Sequence, residues 1–289
     1  MEMTNERQTN RLLGYSDDAR LLIINADDFG MCNSVNDAIL HTLKEGVVTS
    51  TTVMAPCPWA GQAMQILRDN PDISFGIHLT LVCDFAIYKW GPVSSKGDVP
   101  TLIDETGHFY RYDRIPEFLA QAKIDELELE FRAQIETVLA AQLKPTHLDW
   151  HCLADGGRPD ISDLTLALAR EYGLAMRVHD RGFAGKCQRL GLPVDDYEVL
   201  DSYHMSAPSE KPARYAQLLR ELPSGLTEWA VHPSLGNAES QALEPENWKL
   251  RRADYDYMCS PEIREILDEE EIVLLNFGAL QRAWATHAS

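Results

Sequence analysis

Short apolar runs alternate along the chain with longer stretches in which apolar residues recur at helical spacing. This alternation is typical of βα units arranged around a parallel sheet. The pattern predicts an α/β fold, a single distorted β/α-barrel of about seven strands. The predicted strands are 21–26, 47–54, 73–81, 146–150, 174–178, 226–231 and 272–277. The predicted helices are 34–44, 59–68, 115–142, 161–172, 211–222 and 261–268.

No internal repeat, low-complexity tract or Gly/Ser-rich linker divides the chain. We therefore predict one barrel domain at 20–289, preceded by a polar N-terminal extension at 1–19. Two segments, 83–112 and 182–208, are too irregular for a strand or a helix. We expect both to be long inserted loops, the first of them lying over one end of the barrel.

Composition excludes several classes of protein. The 289 residues are 45% hydrophobic and 25% charged, and no run approaches the roughly 18 uncharged apolar residues of a membrane span. The net charge of −19 repels phosphate backbones and anionic lipid headgroups, so we expect no nucleic-acid and no membrane partner. The first twenty residues contain no apolar leader, which predicts a cytoplasmic protein. The six cysteines form no C-x-x-C pair and are expected to be free thiols.

The first predicted strand runs into Asp27 and Asp28, with Gly30 following to turn the chain. In β/α-barrels the carboxyl ends of the strands carry the active site. Asp beside Gly after a strand is also ordinary turn chemistry, so this pair alone does not decide between the two. Side chains alternate along a strand, so the two carboxylates act together only if the strand has already begun to turn there, which Gly30 allows.

Histidines stand at or near the ends of three further predicted strands. His78 lies in an apolar strand, His147, Asp149 and His151 share one face of another, and His232 stands where a third one stops. One histidine of this kind is more often a core residue than a ligand. Four strands that each deliver Asp or His to the same edge are much less expected by chance, and core histidines would not gather there.

One carboxylate with two imidazoles is a common set of protein ligands that leaves coordination positions free for water. We therefore predict a divalent metal ion held by Asp28, His78 and His151. Such an ion would lower the pKa of a water molecule and polarise a carbonyl oxygen. Asp27 would then act as the base, and His232 would give a proton to the leaving group.

The motifs at these residues resemble those of the YdjC-like family of carbohydrate deacetylases. The resemblance rests on LLIINADDFG at 21–30, GVVTSTT at 46–52, GIHL at 76–79, KPTHLD at 144–149, AMR at 175–177, and the helix and strand at 260–278. It implies a barrel hydrolase that removes acetyl from an N-acetylated sugar or oligosaccharide and uses a divalent ion, usually magnesium, although zinc or another transition metal would also suit the ligands. The same resemblance gives Asp28, His78 and His151 as metal ligands and Asp27 as the residue that acts on water. It places Arg177 near the site, where this arginine would orient a carboxylate, and it points to a homodimer.

The sequence departs from the family pattern after Asp149, where the closest family members have S-H-H-H and this chain has Trp150, His151, Cys152 and Leu153. The ligand is kept, whereas its neighbours change. This departure affects the identity of the sugar more than the type of reaction.

Three aromatic residues are candidates for stacking on a sugar ring: Trp150, by its position, and then Tyr88 and Trp90 on the first inserted loop. His147 and Asp149 are candidates for orienting a ligand, and a purely structural role in the strand is about as well supported. The other histidines fall on helices, loops or a terminus and are expected to be solvated; they are His41, His108, His179, His204 and His287.

Two other functions fit the same barrel. One is a metal-dependent phosphoesterase or sugar isomerase, although only Arg158 and Arg177 stand where a phosphate would be bound. The other is a sugar-binding protein without catalysis, which would not need a base, three ligands and an acid together.

Overall fold

Buried parallel strands alternate with helices along most of the chain in the computed structural model, which describes residues 8–203 and 205–287. Short 3₁₀ helices occur at Pro100–Leu102, Tyr112–Arg114 and Ala154–Gly157. The strands are β1 (Arg20–Phe29), β2 (Ser50–Val53), β3 (Phe75–Leu79), β4 (Val82–Cys83), β5 (Tyr110–Arg111), β6 (His147–Trp150), β7 (Ala175–Met176), β8 (Leu200–Asp201), β9 (Gly225–Val231) and β10 (Val273–Leu275). The α-helices are α1 (Gln8–Leu12), α2 (Asn33–Glu45), α3 (Ala60–Asp69), α4 (Ile115–Gln121), α5 (Ile124–Ala140), α6 (Pro159–Tyr172), α7 (Arg181–Arg189), α8 (Lys211–Arg220), α9 (Ala238–Leu243), α10 (Trp248–Met258), α11 (Pro261–Glu269) and α12 (Phe277–His287).

The main sheet is parallel and curled, with the strand order β7-β6-β3-β2-β1-β9-β8. β10 pairs with the first half of β1, on the side where β2 pairs with its second half. Within the described residues no pairing joins β7 to β8, so the barrel is open between these two edges. The predicted α/β-barrel class is confirmed, with every predicted strand present in shorter or longer form. β1 is buried on both faces, as expected for a strand at the centre of a parallel sheet covered by helices.

The helix predicted at 115–142 is instead two helices, α4 and α5, separated at Ala122 and Lys123. Arg158 explains the break, because its guanidinium donates to the carbonyl oxygens of Leu119 and Ala122 at 2.7 and 2.8 Å. These carbonyl groups at the end of α4 are thereby satisfied without a continuing helix. At the start of α5, the hydroxyl of Thr101 accepts a hydrogen bond from the backbone N–H of Lys123.

The two segments predicted as irregular loops both contain regular structure. Segment 83–112 contains β5 and the last residue of β4, with which β5 pairs, and its Trp90 and Phe109 are buried. Segment 182–208 contains most of α7 and the whole of β8, which pairs with β9 and is part of the main sheet. A strand of two residues is too short to show an apolar periodicity, which is why β5 and β8 were not predicted.

The chain before β1 packs against the barrel as far as it is described. Thr9 and Asn10 of α1 are buried, and the Thr9 hydroxyl donates to the carbonyl oxygen of Val194 at 2.7 Å. The division into 1–19 and 20–289 stays a prediction. Among the described residues, no helix combines the length and the apolar character needed to cross a membrane.

Candidate active site

The carboxyl ends of the parallel strands bring the predicted site residues together at one edge of the sheet. Asp27 and Asp28 come from the end of β1, His78 from β3, His151 from the residue after β6, and His232 from the residue after β9. Each of these side chains is buried or nearly so, with His232 the most accessible at 12% exposure. This edge is where β/α-barrels carry their active sites.

β1 bends where the two aspartates stand. Its pairing with β2 shifts register between Ala26 and Phe29, and Asp28 has a positive φ of 73°. A left-handed residue in a strand breaks the alternation of side chains, so neighbouring carboxylates can face the same site. The turn that we expected Gly30 to allow therefore begins two residues earlier, at Asp28 itself.

Asp28, His78 and His151 converge on one point. Asp28 Oδ1 lies 3.4 Å from His78 Nε2 and 3.1 Å from His151 Nδ1, and the three ligand atoms lie within 4.8 Å of one another. One carboxylate and two imidazoles with this spacing fit a divalent cation that keeps open positions. The predicted metal ligands are thus placed together, and the residues present suit the ion.

In both His78 and His151, the ring nitrogen that faces away from Asp28 lies against a further carboxylate. Asp149 Oδ1 lies 2.7 Å from His78 Nδ1, and Asp84 Oδ1 lies 2.9 Å from His151 Nε2. Such carboxylates fix the ring orientation and tautomer of a metal-binding histidine. Asp149 therefore contacts a predicted ligand, as considered from the sequence, but this residue is His78 of the neighbouring strand rather than His151. Asp84 was missed, because it follows the two-residue strand β4 and belongs to no motif.

These carboxylates make the pocket favourable for positive charge. Burial alone lowers the pKa of His78, but Asp149 outweighs it and raises this pKa to about 9. Burial acts the same way on His151, and Asp84 together with Asp28 raises the pKa of this imidazole well above its usual range. The electrostatic field that favours imidazolium here also attracts a divalent cation.

Arg177 fixes Asp27. Its two terminal nitrogens each donate to one carboxylate oxygen of Asp27 at 2.8 Å, while its Nε donates to Glu228 Oε1 at 2.7 Å and a terminal nitrogen lies 2.9 Å from Asp149 Oδ2. Burial raises the pKa of Asp27, but the guanidinium outweighs it and holds this pKa well below its usual range. Arg177 therefore holds the Asp27 carboxylate in one orientation, and its part in catalysis stays a prediction.

His232 stands across from the cation ligands. Its Nε2 lies 4.0 Å from Asp27 Oδ2, and its Nδ1 lies 3.2 Å from Ser202 Oγ. Ser202 donates its hydroxyl proton to Asp254 Oδ2 at 2.5 Å, since a carboxylate only accepts, so Ser202 Oγ accepts from His232 Nδ1. The backbone N–H of His232 donates to the same Asp254 oxygen at 3.0 Å. Nε2 of His232 is thereby directed toward Asp27.

A second buried guanidinium supports Asp28 from the far side. Arg251 donates to Asp28 Oδ2 at 2.8 Å and lies 2.7 Å from Glu244, with its charge over the ring of Tyr203. Burial raises the pKa of Asp28, but Arg251 and the two imidazoles outweigh it and keep this carboxylate ionised. Arg251 comes from α10, for which the sequence pattern predicted no helix.

His147 lies apart from this cluster. Its ring stacks on Phe277 with centroids 3.6 Å apart, and its Nδ1 lies 3.0 Å from the hydroxyl of Thr146. A Cβ atom on Gly76 would come within 2.6 Å of the His147 ring, so the glycine before Ile77 provides room for this imidazole. Burial lowers the pKa of His147 to about 3, which keeps the ring neutral. Its position is that of a core histidine.

The three aromatic candidates are largely enclosed. Trp150 is 4% exposed, and its indole nitrogen lies 3.3 Å from where a Cβ on Gly156 would stand. Trp90 is 2% exposed and donates its indole N–H to Val82, with its ring edge-on to His151 at 6.1 Å. Tyr88 is half-buried and donates its hydroxyl to the carbonyl oxygen of Met31. Their role in binding sugar stays a prediction.

The remaining histidines differ in exposure. His41 is exposed, as expected, whereas His108 and His179 are only partly exposed. Burial lowers the pKa of His179. His204 and the side chain of His287 lie outside the described residues.

Asp195 gives a pH-dependent stability that can be measured. It is 1% exposed, its Oδ1 has no hydrogen-bond partner among the described groups, and burial raises its pKa to about 7. The folded protein therefore holds a proton here that the unfolded chain loses above about pH 4, so this group destabilises the fold as the pH rises toward 7. We expect the stability gained by Asp195→Asn to grow by about 2–3 kcal/mol between pH 5 and pH 8 in urea denaturation.

Asp125→Asn is the matched control, because Asp125 is an exposed carboxylate on α5. It makes the same change in formal charge without burial. An equal gain at both pH values for Asp195→Asn would show that this carboxyl group is not held protonated.

Together the fold and the cluster define a class: an α/β-barrel protein with a buried Asp/His cluster at the carboxyl edge of its sheet that could hold a metal ion. The chain belongs to the YdjC-like family, whose family model, described as YdjC-like protein, matches residues 21–269. The resemblance predicted from the motifs is therefore confirmed.

Relatives along nearly the whole chain are named as carbohydrate deacetylases. One from Listeria monocytogenes serotype 4a is 36% identical over 276 residues, covering 90% of this chain and 99% of the relative. One from Thermoanaerobacter pseudethanolicus is 29% identical over 262 residues, covering 91% of this chain and 100% of the relative. The prediction that the chain is an enzyme agrees with these relatives.

A solved structure is similar in fold. It is an Enterococcus faecalis protein described as a candidate cellobiose-phosphate cleavage protein, with a TM-score of 0.78 and 28% identity. The match covers 91% of this chain and 99% of that chain. The barrel architecture is thus shared with this protein over nearly its full length.

Proposed function

We propose that the protein is a carbohydrate deacetylase that hydrolyses the amide bond between an acetyl group and an amino sugar, with a divalent cation as cofactor. The observation that carries this proposal is the separation of roles at the barrel edge. Asp28, His78 and His151 form a ligand set, while Asp27 and His232 face the same space without belonging to that set. The names of the relatives support a saccharide as the substrate.

A divalent cation held by this set would polarise the acetyl carbonyl oxygen and acidify a water molecule. Asp27 is ionised and fixed by Arg177, so its Oδ2 is the atom that takes the proton of the attacking water. Because the pKa of Asp27 is low, this carboxylate accepts a proton only from strongly acidified water. Arg177 and Asn25, which donates to Asp27 Oδ1 at 2.7 Å, prevent the carboxylate from rotating.

His232 is the proposed proton donor to the departing nitrogen. Its Nδ1 proton is held by Ser202, so the proton that it transfers is the one on Nε2, which faces Asp27 at 4.0 Å. Nitrogen of an amide leaves only once it is protonated, and an imidazole that faces the same space as the base meets this need.

The choice of cation follows from the ligands. Two imidazoles with one carboxylate suit zinc or another transition metal, whereas magnesium prefers oxygen ligands. We keep magnesium, implied by the family, as one candidate and the transition metals as the other. Cytoplasmic location and a homodimer also stay predictions.

A phosphoesterase is less well supported. The two buried guanidiniums near the strand ends, Arg177 and Arg251, are already paired with carboxylates, and Arg158 is paired with Asp160. A phosphate dianion would have to displace these partners. A sugar-binding protein without catalysis has no use for an arginine-fixed carboxylate beside a cation site.

The proposal is tested by measuring acetate release from N-acetylated mono- and disaccharides with added magnesium, zinc, manganese or cobalt. We expect release with at least one sugar and one cation, and we expect a chelator to abolish it. Binding of the cation without acetate release from any of these sugars would contradict the proposal and favour an isomerase or a binding protein.

A further inference from the structure

We propose that Asp84, His151 and Cys152 form a second cation site, selective for a thiophilic divalent cation such as zinc or cobalt. Asp84 Oδ1 lies 2.9 Å from His151 Nε2, and Cys152 Sγ lies 3.4 Å from each of these two atoms. Carboxylate, imidazole and thiol thus present one ligand atom each toward a common point. The site shares His151 with the Asp28–His78–His151 set and takes its other two ligands from outside that set.

The spacing of the three atoms is close to that of zinc ligands. With Zn–S near 2.3 Å and Zn–N and Zn–O near 2.0–2.1 Å, a tetrahedral site separates its ligand atoms by about 3.3–3.6 Å. The two sulfur distances of 3.4 Å already fall in this range. Only the carboxylate and the imidazole nitrogen have to separate, by a few tenths of an ångström.

His151 serves one of the two sets at a time, because a neutral imidazole offers a single lone pair to a cation. Nδ1 faces Asp28 in the buried set, whereas Nε2 faces Asp84 and Cys152. The second set is open to solvent, because Cys152 is exposed and the Asp84 side chain is 19% exposed. A cation can therefore reach it without passing through the first set.

The thiol sets the selectivity. Sulfur binds zinc and cobalt well and magnesium poorly, and the sulfur gives up its proton when it binds the cation. Nothing in this inference depends on the reaction that the barrel catalyses.

The test is a cobalt titration of the full chain in the presence of magnesium, followed by the thiolate-to-cobalt charge-transfer absorption in the near ultraviolet. We expect the absorption in the wild-type protein and its loss in Cys152→Ser, and an affinity for cobalt at least about tenfold lower in Asp84→Asn, which keeps the thiol. Asp28→Asn should retain the absorption, because Asp28 belongs only to the first set.

Cys259→Ser is the matched control. Cys259 Sγ also lies 3.4 Å from an imidazole nitrogen, that of His41, but among the described residues this pair belongs to no group of three possible ligands. This variant should retain the absorption in full. Absence of the band in wild type, or a band that survives in Cys152→Ser, would overturn the proposal.

Discussion

Replacing Asp27 with Asn is expected to lower kcat for acetate release by about 10²–10⁴-fold while the protein still binds its cation. The amide has nearly the shape of the carboxylate but accepts no proton from water. Cation binding should persist, because the ligand from β1 is Asp28, whose Oδ1 faces His78 and His151. Steady-state kinetics together with calorimetric titration of the cation measure both quantities.

Asp28→Asn is the companion variant, in which we expect weaker cation binding to be the primary effect. It weakens cation binding first, and activity falls because the cation is lost. If Asp27→Asn kept activity within a few-fold of wild type, Asp27 would not be the base.

Replacing Arg177 with Met is expected to cost about 3–5 kcal/mol of unfolding free energy. One buried guanidinium contacts Asp27, Asp149 and Glu228, and these carboxyl groups are all within a few per cent of complete burial. Without it, Asp27 and Asp149 lose the guanidinium that contacts both of them, and only the His78 imidazole remains near the two carboxylates. Urea denaturation at pH 7 measures the loss, and activity should fall as well, because Asp27 is no longer fixed.

Arg132→Met provides the control. Arg132 also pairs with two carboxylates, Glu128 and Glu171, but about a third of its side chain is exposed. Exposed pairs contribute about 0–1 kcal/mol, so this variant should be nearly as stable as wild type. If the two variants lost equal unfolding free energy, the burial of Arg177 would not explain its contribution to stability.

The barrel, and the position of the site at the carboxyl ends of its strands, could be predicted from the sequence, because long apolar strands give a clear pattern. The ligand set of Asp28, His78 and His151 could be proposed for the same reason, since each residue stands at the end of a strand. Arg177 was found only through the family motif, because an arginine after a strand is otherwise most often a surface residue.

Other parts of the site have no local signal. The left-handed bend at Asp28 depends on pairing with β2, and Asp84 reaches His151 only because the β4–β5 segment folds back toward β6. The support of His232 by Ser202 and Asp254 joins β8, β9 and α10, of which two were not predicted. Such contacts between distant segments arise from packing, so no pattern along the chain reports them.

Hydrolysis in ¹⁸O-labelled water tests the central claim most directly. With an N-acetylated disaccharide as substrate, we expect the label in the released acetate and an equal amount of free amine on the sugar. This result requires that water attacks the acetyl carbon and that the carbon–nitrogen bond breaks. Turnover of the sugar without labelled acetate, or with its amide intact, would contradict the account.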